Sequence, residues 1–128
     1  MDVYEARTYV AYLKAKIDEN AAIRGYQSRL AEAAGVHGSY LSRVLSEAVP
    51  LTPDQAANIA EFWKLDAEET EYFVGLVNLA RAGSAALKEM LKRRLATLRR
   101  EHQDLTHRLK SSQSVDRNTN AVYYSAWY

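Results

Sequence analysis

Gln27-Ser28-Arg29-Leu30-Ala31-Glu32-Ala33-Ala34-Gly35-Val36-His37-Gly38-Ser39-Tyr40-Leu41-Ser42-Arg43-Val44 reads as two short helices folded back on one another. Leu30, Ala31 and Ala34 share one face of the first helix, and Val36, Leu41 and Val44 bring the second back onto it. Gly35 stands where the chain leaves the first helix in a left-handed conformation that is costly for other residues. Ala31 is small at the point where two helices crossing at roughly 90–120° must approach closely.

The flanking sequence adds helices on both sides. Tyr4 to Glu19 places Tyr9, Val10, Leu13 and Ile17 at helical spacing, and Ala21 to Gly25 connects this first helix to the second, which opens at Tyr26-Gln27. The third helix begins near His37 to Ser39, with His37 or Ser39 as its cap, and runs to Glu47. Thr52-Pro53-Asp54-Gln55 is a complete helix start, with a Thr cap, Pro at the first helical position, an early acid and Gln closing a capping box. Asp66-Ala67-Glu68-Glu69 repeats the device, and the helix after it carries an apolar stripe of Tyr72, Phe73, Leu76, Val77 and Leu79-Ala80. The predicted core is Val10, Leu13, Leu30, Ala34, Val36, Leu41, Val44, Ile59, Ala60, Phe62, Phe73 and Leu76.

Gly83-Ser84 breaks the pattern, and Ser84 caps a long helix expected to end at Lys110. Its Leu91, Leu95, Leu98, Leu105 and Leu109, with His102 in the gap, have the spacing of a heptad seam, which serves a second copy of the chain, the protein's own core or a C-terminal part outside this sequence. Residues 111–120 are polar and read as a linker, and residues 121–128 place Tyr123, Tyr124, Trp127 and Tyr128 close together. The expected organisation is therefore all-α: a five-helix domain over residues 1–83, a long basic helix over 84–110, and a polar linker with an aromatic segment over 111–128.

Composition narrows the function. Cysteine is absent among the 128 residues, which removes disulfides and thiolate metal sites. No signal-peptide core opens the chain and no run of ~18 apolar residues is present, so it reads as cytoplasmic, with no membrane partner. The net charge of +1 hides an asymmetry. Residues 1–79 carry seven Lys or Arg against twelve Asp or Glu, whereas residues 80–110 carry nine against three. His102 and His107 do not share a helical face, no Gly-rich phosphate loop is present, and no Ser, His and acid residues fall at a recognisable spacing. The chain therefore reads as a non-enzyme, with no cofactor and no metal ion implied. Glu68, Glu69 and Glu71 read as a dipole-favoured first turn.

In spacing, Gln27, Leu30-Ala31, Ala34, Gly35, Leu41 and Val44 resemble the helix-turn-helix of the Cro and lambda-repressor-like (XRE-type) regulators, and Leu51 to Leu65 resembles the fourth helix of that fold. The resemblance implies sequence-specific binding of duplex DNA by a bacterial transcriptional regulator, with residues 37–47 in the major groove. It places His37, Gly38, Ser39, Tyr40, Ser42 and Arg43 towards the DNA. Arg43 is the candidate for a bidentate guanine contact, Ser39 and Ser42 are donors to bases or phosphates, and Tyr40 reaches the DNA backbone. Gln27 and Ser28 meet a phosphate at the start of the second helix. The competing role for Arg43 is an ion pair with Glu47, four residues on.

Tyr123-Tyr124-Ser125-Ala126-Trp127-Tyr128 resembles a Tyr-Tyr-x-x-Trp-Tyr element in a family of predicted bacterial regulators, where it follows an XRE-like domain and a basic helix. Tyr12-Leu13-Lys14 and Ser39-Tyr40-Leu41 share that likeness. In that family the element leads into an uncharacterised C-terminal effector domain; the sequence stops where that domain would begin, and the resemblance implies such a domain as a partner outside this sequence. The likeness to XRE-type regulators and the leucine seam imply a homodimer on DNA. The alternative is a protein-interaction or dimerisation module that keeps the helix-turn-helix scaffold without binding DNA.

Overall fold

The computed structural model describes the backbone of residues 1–118 and side chains as far as residue 109. Among these residues the chain is all-helical: a 3-10 turn (Val3–Glu5), α1 (Tyr9–Glu19), α2 (Tyr26–Ala34), α3 (Gly38–Leu45), α4 (Pro53–Phe62), α5 (Ala67–Arg81) and α6 (Ala85–Asn118). No helix among the described residues is long and apolar enough to cross a membrane.

Local chemistry sets the helix boundaries. The first helix starts later than its apolar spacing suggests, because Thr8 caps it by accepting from the Ala11 N–H at 3.1 Å, and Tyr4 belongs to the preceding 3-10 turn. Both capping boxes form, Thr52 with Gln55 and Asp66 with Glu69, each donor–acceptor pair lying within 2.8–3.1 Å. At the end of α2, Gly35 has φ 80, its N–H donates to the Glu32 carbonyl, and the Val36 N–H donates to the Ala31 carbonyl. That is the pair of bonds of a Schellman turn.

The same pair of bonds closes α3 and α4 without glycine. After α3, Glu47 (φ 65) donates to the Val44 carbonyl and Ala48 to the Arg43 carbonyl. After α4, Lys64 (φ 60) donates to the Glu61 carbonyl and Leu65 to the Ala60 carbonyl. These left-handed residues are why α3 stops at Leu45 rather than Glu47 and α4 at Phe62 rather than Leu65. Lys64 suits its place electrostatically, being a cation at a helix C-terminus, whereas Glu47 opposes the dipole of α3.

One compact unit spans Met1–Leu95. Its fully buried side chains include Leu13, Leu30, Leu41, Val44, Leu51, Ile59, Tyr72, Phe73 and Val77. Two predicted core residues lie elsewhere: Val36 is half-buried just past the turn, and Phe62 is 38% exposed. On α4 the buried Ala56, Ile59 and Ala60 share a stripe whose next member is Trp63, and Phe62 falls off it by helical geometry. The Trp63 ring accordingly meets Tyr12 edge-on at 5.3 Å and Phe73 at 5.4 Å, with the Lys16 ammonium 5.6 Å from its centroid. Buried phenols find partners: Tyr72 donates to the Ala6 carbonyl, and the Tyr9 oxygen accepts from the Leu51 N–H. Burial, followed by the nearby carboxylates led by Glu69, pushes the Tyr12 phenol up to about 12.

The break expected at residue 83 marks the change from α5 to α6, but packing carries the first unit on to Leu95. Gly75 on α5 leaves room for Leu95, whose Cδ2 lies 2.8 Å from where a β-carbon would stand. Arg94 clasps Glu71 through two hydrogen bonds of 2.7 and 3.0 Å, and this guanidinium holds the Glu71 carboxyl below the usual range.

The second unit begins at Ala96. There α6 continues past Lys110, the expected end, to Asn118, since residues 111–118 contain no Pro or Gly to stop it. The leucine seam is divided: Leu95 and Leu98 are buried, whereas Leu105 and Leu109 are 47% and 54% exposed. The aromatic element from Tyr123 to Tyr128 lies outside the described residues.

Gly35 and Gly38 form an internal control for this account of the turn. Neither has an atom within 4 Å of an added β-carbon, but only Gly35 has a positive φ. Gly35→Ala is expected to cost ~1–2 kcal/mol in urea unfolding, and Gly38→Ala, inside α3, to be neutral or stabilising by up to ~1 kcal/mol.

Candidate nucleic-acid interface

Three residues, Gly35 to His37, separate α2 from α3, so the start of α3 is placed by the end of α2. Leu41 and Val44 are fully buried and anchor α3 by one face. A helix of eight residues anchored at those two positions leaves Ser39, Ser42 and Arg43 in solvent, and all three are exposed. His37 and Gly38 are exposed as well, at the helix start, and Tyr40 is half-buried. His37 occupies the N-cap position but its side chain makes no capping hydrogen bond, and Ser39 lies inside the helix, so neither expected cap forms. The imidazole and both serine hydroxyls stay on the surface.

Arg43 is not tied to Glu47. The i,i+4 pairing requires both residues on one continuous helix, and the left-handed Glu47 has left α3. Arg43 makes no ion pair with any described residue. Its main-chain carbonyl, by contrast, is fully used, accepting from Ala48, Val49 and the Ser46 hydroxyl, so the backbone of this residue is held while its side chain has no ion-pair partner among the described residues.

Tyr40 does not project freely as expected. Its hydroxyl donates to the Pro50 carbonyl at 2.7 Å, which ties α3 to the start of the fourth-helix segment. Its remaining capacity towards an outside group is as an acceptor, so direct donation to a phosphate would require breaking this bond.

At the start of α2, Gly25 (φ 75) provides the N-cap with no side-chain hydrogen bond. Gln27 is half-buried and Ser28 exposed, and they stand in the first turn, where helix N–H groups lack intrahelical acceptors. Tyr26 beside them is held from below: its hydroxyl accepts from the Trp63 indole N–H at 2.8 Å. That contact, which sequence reasoning missed, fixes the α2 start on α4. Gln27, Ser28 and the exposed residues of α3 thus sit on two helices whose relative placement is set by the short turn between them. Residues 24–45 carry Arg24, Arg29 and Arg43 against Glu32 alone, a local excess of positive charge in an acidic domain.

Among the described residues no group of His, Asp and Glu is arranged to hold a metal ion. Compared with known protein families, with curated proteins and with solved structures, the chain finds no match. What this surface does is therefore read from its own chemistry.

The Tyr40 to Pro50 bond makes a direct prediction. Tyr40→Phe is expected to cost ~0.5–1.5 kcal/mol, the net worth of one hydrogen bond, and to speed amide hydrogen exchange in residues 46–49. Unchanged exchange there would show that the bond does not hold the loop.

Proposed function

We propose that the first unit binds duplex DNA sequence-specifically, as a helix-turn-helix domain of the XRE type in a transcriptional regulator. The observation that carries this reading is the α2–Gly35–α3 pair, with Leu41 and Val44 buried and Ser39, Ser42 and Arg43 exposed on the opposite side of α3. A helix presented this way can enter a major groove by its outer face. Arg43 reads guanine, Ser39 and Ser42 donate to bases or phosphates, and Gln27 and Ser28 with the first turn of α2 hold a phosphate. Lys88, Lys92 and Arg93, all exposed on α6 within the same unit, add positive charge that residues 1–79 lack.

The excess of acids in residues 1–79 favours a second reading, a protein-contact module that keeps the scaffold without DNA. Selection from a random duplex pool, followed by binding across a salt series, separates the two. Arg43→Ala should weaken binding to the selected site by ~1–3 kcal/mol and to random DNA far less. Replacing Lys88, Lys92 and Arg93 by Gln should weaken both and flatten the salt slope. Equal losses on both DNAs remove Arg43 as a reader, and binding without salt dependence removes the DNA reading.

The regulator acts as a homodimer, because a single domain of this kind covers one half-site and gains from a second copy one helical turn away. Leu105 and Leu109 are the exposed members of the leucine seam through which α6 of the second copy pairs. Light scattering should give a dimer that Leu105→Lys with Leu109→Lys converts to a monomer. A wild-type monomer at micromolar concentration would overturn the pairing.

A further inference from the structure

We propose that the first unit carries a binding site for a small amphipathic carboxylate, an alkyl or aryl acid, in the cleft between the start of α1, the loop after α3 and the end of α5. The cleft is open to solvent and has a volume of about 560 Å³, inside the ~300–1,000 Å³ range of small-molecule sites. Its apolar lining includes Val10, Val49, Leu76 and Leu79. Arg7 and Arg81 are among its lining residues as well, both exposed and neither in an ion pair with any described residue. Glu47 is the one carboxylate among the lining residues, so the cations outnumber it.

Two kinds of surface in one cleft select the ligand class. Apolar walls favour a hydrocarbon body by removing it from water. Guanidinium groups match a carboxylate through paired charge-assisted hydrogen bonds. A neutral hydrocarbon would leave both cations unused, and a highly charged polyanion would leave the apolar walls unused. An acid with one charged end and an apolar body satisfies both.

The position of the cleft gives such a ligand a consequence. Glu47 to Pro50 form one wall, and the Pro50 carbonyl is the acceptor of the Tyr40 hydroxyl from α3. Glu47 in that wall holds a left-handed backbone against the preference of a non-glycine residue. A ligand in the cleft, its body against this wall, therefore bears on α3 through the Tyr40 bond and alters DNA affinity. This last step rests on the DNA-binding reading. The binding itself does not.

Nuclear magnetic resonance of the full chain, with octanoate as probe and octan-1-ol as its neutral analogue, tests the site. Amide signals of Ala48, Val49, Leu79 and Arg81 should move saturably with octanoate, and octan-1-ol should bind at least about tenfold more weakly. The double variant Arg7→Gln with Arg81→Gln changes two exposed residues and should melt as the wild type does, yet lose about tenfold or more in octanoate affinity. Absence of saturable shifts, equal binding of the alcohol, or full affinity in the double variant would overturn the proposal. Octanoate binding without any change in DNA affinity would keep the site and remove its link to α3. Failure of the chain to bind DNA at all would leave the octanoate measurements to decide the site alone.

Discussion

The left-handed turn at Gly35 is the constraint on which the α2–α3 pair depends, because it sets both where α2 ends and the direction in which α3 begins. With φ 80 at residue 35, the chain satisfies two carbonyls at the end of α2 and re-enters a helix at Gly38. Leu41 and Val44 then reach the core on the next turn, and both are completely buried. Moving the turn by one residue would rotate α3 by about 100°, taking these side chains out of the core and turning the exposed residues inward. Fold and candidate surface are therefore fixed by the same backbone geometry.

What holds α2 from behind is aromatic. Tyr12, Trp63 and Phe73 pack from three helices within 5.3–5.8 Å of one another, and Trp63 donates its indole N–H to Tyr26 at the first turn of α2. Rings of this size contribute large buried areas, and their polar tips need partners when they go inside. The described residues leave no buried side-chain N or O atom unsatisfied. The hydroxyls of Tyr9, Tyr26 and Tyr72 thus act as joints between elements distant in sequence, connecting α1 to the start of α4, α2 to the end of α4, and α5 to the segment before α1.

The parts of this architecture that were legible in the sequence are those written in local chemistry. Glycine at position 35 and the Thr52 and Asp66 capping boxes announce themselves by residue type and spacing, and each forms as read. Glu47 and Lys64 adopt the same left-handed turn as Gly35, but nothing in a Glu or a Lys signals it, so α3 and α4 read longer than they are. The exchange of Phe62 for Trp63 was recoverable, since extending the Ala56, Ile59 and Ala60 stripe leads to position 63. The Arg94–Glu71 and Tyr40–Pro50 contacts were not, because they depend on how elements meet in space rather than on any periodicity. For the candidate surface, exposure on α3 followed from the helical wheel, whereas the engagement of Tyr40 and the release of Arg43 from Glu47 required the loop geometry.

Charge is the consideration that bears hardest on the proposed function. An acidic domain approaching DNA meets long-range repulsion, which for exposed charges is screened beyond ~8 Å at physiological ionic strength. Local sign therefore matters more than the total at contact distance. Residues 24–45 carry three cations and one acid, and the guanidinium of Arg43 is not neutralised by an ion pair with any described residue. Much of the acid excess instead serves folding: Asp66 and Glu69 close a capping box, Glu71 clasps Arg94, and Glu19 receives the N-terminal ammonium at 2.7 Å. Carboxylates paired with a cation, as Glu71 and Glu19 are, project less field than their count suggests. The distribution of charge along the chain, rather than its sum, is what makes the acidic stretch of residues 1–79 compatible with the polyanionic partner proposed for it.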